Sequence, residues 1–208
     1  MSDKYTGAGQ SWGSQPFCDW NPCSPKSLTG VLEGLGAAPR KRWGQNFLID
    51  LAAQQRIVRA ARIQLADHVW EIGPGLGALT AHVWGKCRSL TLFEIDPLLL
   101  QVYQTRLQGG AARLVSGDVV QTWRGTGSVP DVIISNLPYN AASLIMAEFA
   151  QCPSFRPRCM VFTVQKEMAA RLTAKERSKP YSSFSVLLQS QFHIEELFDL
   201  GAGLGIVI

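Results

Sequence analysis

The sequence predicts an α/β fold, in which a mostly parallel, doubly wound sheet is covered by helices on both faces. Two observations support this prediction. From about residue 50 onward, short apolar runs alternate with longer amphipathic stretches, which is the pattern of strands alternating with helices. In addition, a glycine-rich segment joins the first predicted strand to the helix after it, as in many parallel sheets that bind a ligand.

The predicted strands are short and apolar, and the predicted helices show a buried face. The strands cover residues 68–72, 90–95, 114–116, 132–135, 160–164 and 192–198. The helices cover residues 51–63, 78–83, 97–107, 141–150, 166–173 and 183–191. Asp50 is expected to cap the first helix, whose inward residues are predicted to be Leu51, Ile57, Val58 and Ala61. In the helix 141–150, the predicted inward residues are Leu144, Ile145 and Phe149.

The amino-terminal residues differ from the rest in composition. Residues 1–27 are rich in Gly, Ser, Pro and isolated Trp without periodicity, so we expect a disordered leader, followed by one domain over residues 28–200. The start has no secretory signal pattern, and no apolar run approaches the roughly 20 residues of a membrane-spanning helix. We expect a cytoplasmic protein that does not bind membranes, with an organelle as the open alternative.

The cysteines indicate thiols rather than a metal site. The chain has five, an odd number: Cys18, Cys23, Cys87, Cys152 and Cys159. They do not form two C-x-x-C pairs, and no histidines stand near them at zinc-ligand spacing. We therefore expect reduced, unpaired cysteines and no bound metal.

Positive charge is concentrated in two flanks. Residues 36–62 carry a net charge of +5 and residues 155–180 another +5, whereas residues 63–154 between them carry −2. Two basic flanks around a near-neutral centre suit a polyanion laid across the mouth of a pocket. An ordinary solvated surface rich in Lys and Arg explains the same pattern.

Candidate cofactor residues stand where predicted strands end, which is where ligands bind in parallel sheets. The segment EIGPGLG (71–77) follows the first strand, and its glycines, including Gly73 and Gly75, allow a close backbone approach to a ligand. Glu94 ends the second strand and can accept hydrogen bonds from both ribose hydroxyls of a nucleoside cofactor. Asp118 follows the third strand and is placed to accept one from an adenine amino group.

A nicotinamide dehydrogenase is the rival interpretation of this turn, because Gly73, Gly75 and Ala78 also satisfy the looser dinucleotide pattern. Glu71 argues against it, since a carboxylate beside the turn would repel a pyrophosphate. The three histidines also occupy no evident catalytic position. A sulfonium cofactor, which is positively charged, favours the acidic surroundings instead.

The candidate catalytic segment is Asn136-Leu137-Pro138-Tyr139, directly after the fourth predicted strand. The exocyclic amine of adenine is a poor nucleophile because its lone pair is delocalised. The Asn136 side-chain oxygen and a backbone carbonyl of Leu137 or Pro138 can each hold one N–H and aim the lone pair at a methyl donor. Pro138 fixes the loop, and Tyr139 offers a face for base stacking. The loop has no cysteine for covalent catalysis at a pyrimidine carbon.

Taken together, the motifs resemble those of the ribosomal RNA adenine N6-dimethyltransferases. The matching segments, in the family's order, are KRWGQNFL (41–48), EIGPGLG (71–77), FEID (93–96), GD (117–118), NLPYN (136–140) and QKE (165–167). The resemblance covers about residues 28–200 and implies a Rossmann-like class I methyltransferase that uses S-adenosyl-L-methionine. It further implies that Asn46 and Leu48 close over the cofactor, that Gly73 lies against its methionine part, and that Asn136 contacts both cofactor and substrate.

The same resemblance implies the substrate: two neighbouring adenines in small-subunit rRNA, free or within the pre-ribosomal small subunit. We expect the chain to act on it as a monomer. Residues 201–208 match nothing in the family, so we predict that the chain lacks the family's seventh strand and its carboxy-terminal helical domain. A truncated product with impaired activity is the favoured explanation. The alternative function is non-catalytic nucleic-acid binding on the same fold, as in transcription-factor relatives.

Overall fold

A computed structural model of the chain describes residues 12–17, 19–36, 47–107, 110–136, 141–199 and 204–207. Its helices are α1 Pro25–Gly34, α2 Leu51–Ala60, α3 Thr80–Val83, α4 Pro97–Arg106, α5 Val119–Thr122, α6 Ala142–Ala150, α7 Lys166–Leu172 and α8 Ser183–Gln191. Its strands are β1 His68–Ile72, β2 Ser89–Glu94, β3 Ala112–Ser116, β4 Val132–Asn136, β5 Cys159–Val164, β6 Glu195–Asp199 and β7 Leu204–Val207.

The strands form one sheet in the order β3-β2-β1-β4-β5-β7-β6, within an α/β fold. The five strands from β1 to β5 run parallel to one another, as predicted. Because side chains alternate across a strand, each of these strands contributes to two buried clusters on opposite faces. One cluster is covered by α5–α8 and the other by α1–α4, which confirms the doubly wound architecture.

The prediction that the seventh strand is missing was wrong. β7 lies between β5 and β6 and pairs antiparallel with both. A strand pairs through its backbone amides and carbonyls, so a short segment can take this place without matching the family's sequence. The residues from Leu204 to Val207 are mostly apolar or β-branched, which suits a strand. The predicted last strand therefore has its partner.

The predicted disordered leader is also contradicted over the described residues 12–17 and 19–27. Phe17 and Trp20 are buried in the cluster beneath α1–α4. The Ser24 side chain accepts a hydrogen bond from the Ser27 amide, and Pro25 occupies the first turn of α1. Isolated aromatic residues without periodicity can still anchor an irregular segment by filling gaps on an existing core.

Two predicted inward residues face solvent instead. Leu51 is 47% exposed and Leu144 is 57% exposed. At about 100° per residue, Leu51 lies roughly 120° around α2 from Ile57, which is fully buried. In α6, Ile145 and Phe149 are buried as predicted. Apolar character alone therefore did not show which residues at the edge of each apolar stripe face the core.

Candidate active site

The glycine turn, residues 73–77, leads from β1 towards α3. Gly73, Gly75 and Gly77 have positive φ angles of 66°, 60° and 83°, which side-chain-bearing residues rarely adopt. The Gly73 amide donates to the Phe93 carbonyl over 2.9 Å, which ties the turn to the end of β2. Apart from Gly73 and its two chain neighbours, no atom of the described residues lies within 4 Å of the position that a Cβ on Gly73 would take, so those residues leave space open there.

Glu94 lies against this turn. Its carboxylate accepts hydrogen bonds from the amides of Ile95 (2.9 Å) and Asp96 (2.8 Å) through Oε1, and from that of Gly75 (3.3 Å) through Oε2. Burial, at 4% exposure, raises its pKa to about 7, although the three amides act in the opposite direction. The structure thus joins Gly75 and Glu94, two predicted cofactor residues, by a direct hydrogen bond.

Glu71, just before the turn, is almost completely buried. The Thr80 hydroxyl donates to its carboxyl group over 2.7 Å. Burial raises the pKa of Glu71 to about 8, so the side chain is largely neutral at pH 7. Burial and the raised pKa both weaken the predicted charge repulsion between Glu71 and a pyrophosphate, so this argument against a dehydrogenase carries less weight.

Asp118 follows β3 and serves as the N-cap of α5. Its Oδ1 accepts from the Val120 amide over 2.9 Å. The neighbouring Gly117 amide donates to the Glu94 carbonyl over 2.8 Å, so β3 ends beside Glu94. A carboxylate has two oxygens, and the cap uses one of them. The predicted role of Asp118 towards an adenine amine remains a prediction.

Asn136 is the last residue of β4, next to β1 in the sheet. The Thr163 hydroxyl on β5 donates to its side-chain oxygen, so Thr163 fixes the orientation of the amide. One residue earlier, the Ser135 hydroxyl donates to the Ile72 carbonyl over 2.5 Å and ties β4 to the start of the glycine turn. The rest of the predicted catalytic segment, Leu137–Tyr139, lies outside the described residues.

The described residues just before α2 lie close to the glycine turn. A Cβ on Gly75 would lie 3.6 Å from the Phe47 ring. The Leu48 carbonyl accepts from the Gln54 side-chain amide over 2.5 Å, and the Gln54 oxygen accepts from His82 over 2.9 Å when the imidazole carries its proton on Nε2. Gln54 was not predicted as a site residue. Its spacing of three residues from Ile57 places it on the same face of α2, which could have indicated that it is buried. Asn46 lies outside the described residues.

The described residues of the two predicted basic flanks do not all lie at this edge. Arg158 precedes β5, at the amino ends of the strands, where it pairs with Asp67 over 2.6 Å and donates to the Arg62 carbonyl. Arg56 stacks on the Phe198 ring at 3.9 Å. Arg158 and its partners therefore lie at the edge opposite to Asn136, whereas Phe198 is in register with Thr163 through Gly205, so Arg56 contacts the same edge as Asn136. Arg40, Lys41 and Arg42 of the first flank lie outside the described residues, so the place of that flank stays a prediction.

The basic residues of the second flank that come after Arg158 follow β5. An open cavity of about 450 Å³, the α7 groove, is lined by Gln165, Glu167, Met168, Ala170, Arg171, Lys179 and Pro180. Asn136 is paired in register with Thr163 of β5, and α7 begins two residues after that strand. The groove therefore lies at the same edge of the sheet as Asn136, with two positive charges against one negative charge.

The structure describes four cysteines, Cys23, Cys87, Cys152 and Cys159, and all four are free thiols, as predicted. Within the described ranges, no group of three or more His, Cys, Asp or Glu side chains is arranged to hold a metal ion. None of the helices there has both the length and the apolar character that a membrane crossing requires.

Comparisons with known proteins identify the family of the chain. The family model described as ribosomal RNA adenine dimethylase matches residues 36–203. The ribosomal RNA small subunit methyltransferase A of Borreliella burgdorferi (strain ZS7) is 40% identical over 176 residues, which are 84% of this chain and 62% of the relative. The chain thus spans less than two thirds of the length of that relative.

Solved structures support the fold. A dimethyladenosine transferase from Plasmodium falciparum has a TM-score of 0.63 at 20% identity, over 76% of this chain and 61% of its own. The N-methyltransferase NodS from Bradyrhizobium japonicum WM9, in complex with S-adenosyl-l-homocysteine, has a TM-score of 0.54 at 15% identity, over 86% and 96%. The fold is that of the Rossmann-like methyltransferases, and the sequence matches show that the chain belongs to the ribosomal RNA adenine dimethylase family.

Proposed function

We propose that the chain transfers methyl groups from S-adenosyl-L-methionine to the N6 amines of two adjacent adenines in small-subunit rRNA. One observation carries the proposal. The glycine turn, Glu94 and Asn136 stand at the carboxyl ends of three neighbouring strands, β1, β2 and β4. A hydrogen bond from the Gly75 amide links the glycine turn directly to Glu94. Candidate groups for holding a cofactor and for orienting an amine therefore stand at one edge of the sheet.

The described residues fit this cofactor. Open space at the Cβ position of Gly73 gives a ligand access to the turn backbone. Glu94, Gly73, Gly75 and Leu48 would hold the cofactor, and Asp118 would accept from its adenine. S-adenosyl-L-methionine supplies an activated methyl group when bound. The family's description and the S-adenosyl-l-homocysteine complex of NodS support this choice.

Asn136 is proposed to orient the amine. Its side-chain oxygen would accept one N–H, and the Leu137 or Pro138 carbonyl would accept the other, so that the nitrogen lone pair points at the methyl group. Thr163 holds the Asn136 amide from β5, which reduces the entropy lost when the amine binds. Tyr139 would stack on the base.

The RNA substrate is supported by charge and by the relatives' names. Arg171 and Lys179 line the α7 groove beside the edge that carries Asn136. Phosphate neutralisation by such side chains supplies most of the non-specific affinity for nucleic acid. The Borreliella relative is named for the small ribosomal subunit, and unpaired adenines can enter a pocket at little cost in stacking energy.

The test is methyl transfer from labelled S-adenosyl-L-methionine to a small-subunit rRNA fragment, followed by digestion and analysis of the adenosines. We expect N6-methylated and N6-dimethylated adenosine with the wild-type chain. The Asn136→Ala variant should lose about a hundredfold or more in rate, because an amine without its acceptor is misplaced. The melting temperature of each variant serves as the control for folding.

Full activity of Asn136→Ala would contradict the role of Asn136. A wild-type chain that binds both the cofactor and the RNA fragment but transfers no methyl group would contradict the activity. A chain that binds the RNA fragment without binding the cofactor would favour the non-catalytic alternative.

A further inference from the structure

The amino-terminal strap, residues 12–17 and 19–23, precedes the residues that match the family model. It runs along α3 and the outer side of the glycine turn. Gln15 donates from its side-chain amide to the Ala81 carbonyl over 2.9 Å, and the Trp84 indole donates to the Gly13 carbonyl over 3.1 Å. The strap is thus bonded to the element that follows the glycine turn.

Trp20 contacts the turn itself. It is 8% exposed, and its indole Nε1 donates to the Leu76 carbonyl over 3.0 Å. Leu76 stands between Gly75, whose amide donates to Glu94, and Gly77, whose amide donates to the Pro74 carbonyl. The turn is therefore held by Glu94 on one side and by Trp20 on the other.

Phe17 fills the space beside the end of the turn. A Cβ on Gly77 would lie 2.6 Å from the Phe17 ring, which is closer than real side chains approach one another. The ring also packs edge-to-face on Trp20 and on Tyr103, with centroids 5.5 Å and 5.2 Å apart. The close fit between Phe17 and Gly77 limits how far the turn can move outward.

Arg106, near the carboxyl end of α4, anchors the strap independently of the turn. Its guanidinium donates to the Pro16 carbonyl over 3.2 Å, pairs with Asp19 over 2.5 Å and lies 4.7 Å from the centre of the Trp20 ring. Trp20 is consequently held by α4, which is separate from the glycine turn. An anchored donor can hold a mobile acceptor in place.

Glycines give the backbone many accessible conformations, so a glycine-rich turn loses entropy when it is ordered around a ligand. We propose that Trp20 is a positioning residue for the cofactor: anchored by Arg106, it holds the glycine turn in its binding conformation through the Leu76 carbonyl. This inference rests on the proposed function, in which the turn binds S-adenosyl-L-methionine.

The test compares Trp20→Phe with Trp123→Phe in the full chain. Each variant keeps an aromatic ring and removes one indole hydrogen bond; that of Trp123 runs to Glu148 over 3.1 Å, in the cluster on the other face of the sheet. Trp20→Phe should weaken S-adenosyl-L-methionine binding and raise its KM by roughly tenfold, with kcat and the RNA Kd unchanged. Trp123→Phe should leave both cofactor constants unchanged even if its melting temperature falls.

Hydrogen exchange without cofactor tests the mechanism directly. The Gly75 and Gly77 amides should exchange faster in Trp20→Phe than in wild type, and equally fast in Trp123→Phe and wild type. Should Trp20→Phe fail to fold, Arg106→Met should shift the same amides and the same KM in the same direction. Unchanged exchange and cofactor Kd in Trp20→Phe, or equal losses in both tryptophan variants, would overturn the proposal. Failure of the wild type to bind the cofactor would instead contradict the proposed function. Faster exchange of the Gly75 and Gly77 amides in Trp20→Phe would then still support the inference that Trp20 holds the glycine turn.

Discussion

The two halves of the strand order, β1–β3 and β4–β7, contribute differently to the candidate site. In the cofactor half, β1–β3 with α1–α4, Glu94 is buried and its carboxylate accepts from three backbone amides. In the substrate half, β4–β7 with α5–α8, Asn136 is only partly buried and is held by the Thr163 side chain, while the charges of the α7 groove face solvent. The difference suggests that the cofactor is recognised by a preformed shape, and the substrate by charge and by groups at strand ends.

The largest expected effect tests the cofactor half. Glu94→Gln should weaken S-adenosyl-L-methionine binding about a hundredfold, because a neutral amide replaces the carboxylate that we propose to accept from two ribose hydroxyls. Binding of the rRNA fragment should not change, since Glu94 is buried away from the α7 groove. Calorimetry measures the first constant and a filter-binding titration the second.

Glu195→Gln is the matched control, because it removes an exposed carboxylate on β6. It should leave cofactor affinity unchanged. If Glu94→Gln weakened RNA and cofactor binding equally, the two halves would not recognise their ligands separately, and the comparison would be wrong.

The next effect tests the substrate half. The double variant Arg171→Ala/Lys179→Ala should weaken RNA binding about fivefold and reduce the slope of log K against log salt by about two, one per lost phosphate contact. Cofactor affinity should remain as in wild type. Arg156→Ala is the control, since Arg156 belongs to the same basic flank but precedes β5, at the opposite edge of the sheet. An equal loss in Arg156→Ala would show that the groove has no special role.

The smallest effect concerns the buried carboxyl group of Glu71. Its folded pKa of about 8 lies above the ordinary value of 4.5 for a glutamate carboxyl group, so its protonated form favours the folded state. That contribution is fully present below about pH 4.5 and is lost as pH rises through about 8. Glu71→Gln has no such loss, so its melting temperature relative to wild type should rise by a few degrees between pH 5 and pH 8.5. A difference in melting temperature between Glu71→Gln and wild type that does not change with pH would show that Glu71 does not titrate in the folded protein over this range.

Much of the fold followed from local patterns. The ends of the strand at 68–72 and of the helix at 183–191 were predicted to the residue, because uninterrupted apolar runs and amphipathic periods reflect local burial. The strap and β7 could not be predicted in this way. Phe17 and Trp20 are buried through contacts with distant residues, and β7 depends on backbone pairing with two strands far away in the chain.

The candidate site shows the same division. Gly75 and Glu94 were identified from their places at strand ends, and a hydrogen bond joins them. Thr163 was missed because its contact with Asn136 depends on the register between β4 and β5, which sequence spacing does not determine. Gln54 was missed because an apolar helix face was assumed to bury only apolar side chains, whereas this amide is fully buried and hydrogen-bonded.

The most direct test of the cofactor half is calorimetric titration of the 208-residue chain with S-adenosyl-L-methionine at several pH values. We predict saturable binding of one molecule per chain. Because burial holds the pKa of Glu94 at about 7, protonation should weaken binding about tenfold between pH 8 and pH 6. No saturable binding at pH 8 would contradict the account, and binding that is equally tight at both pH values would contradict the role of Glu94.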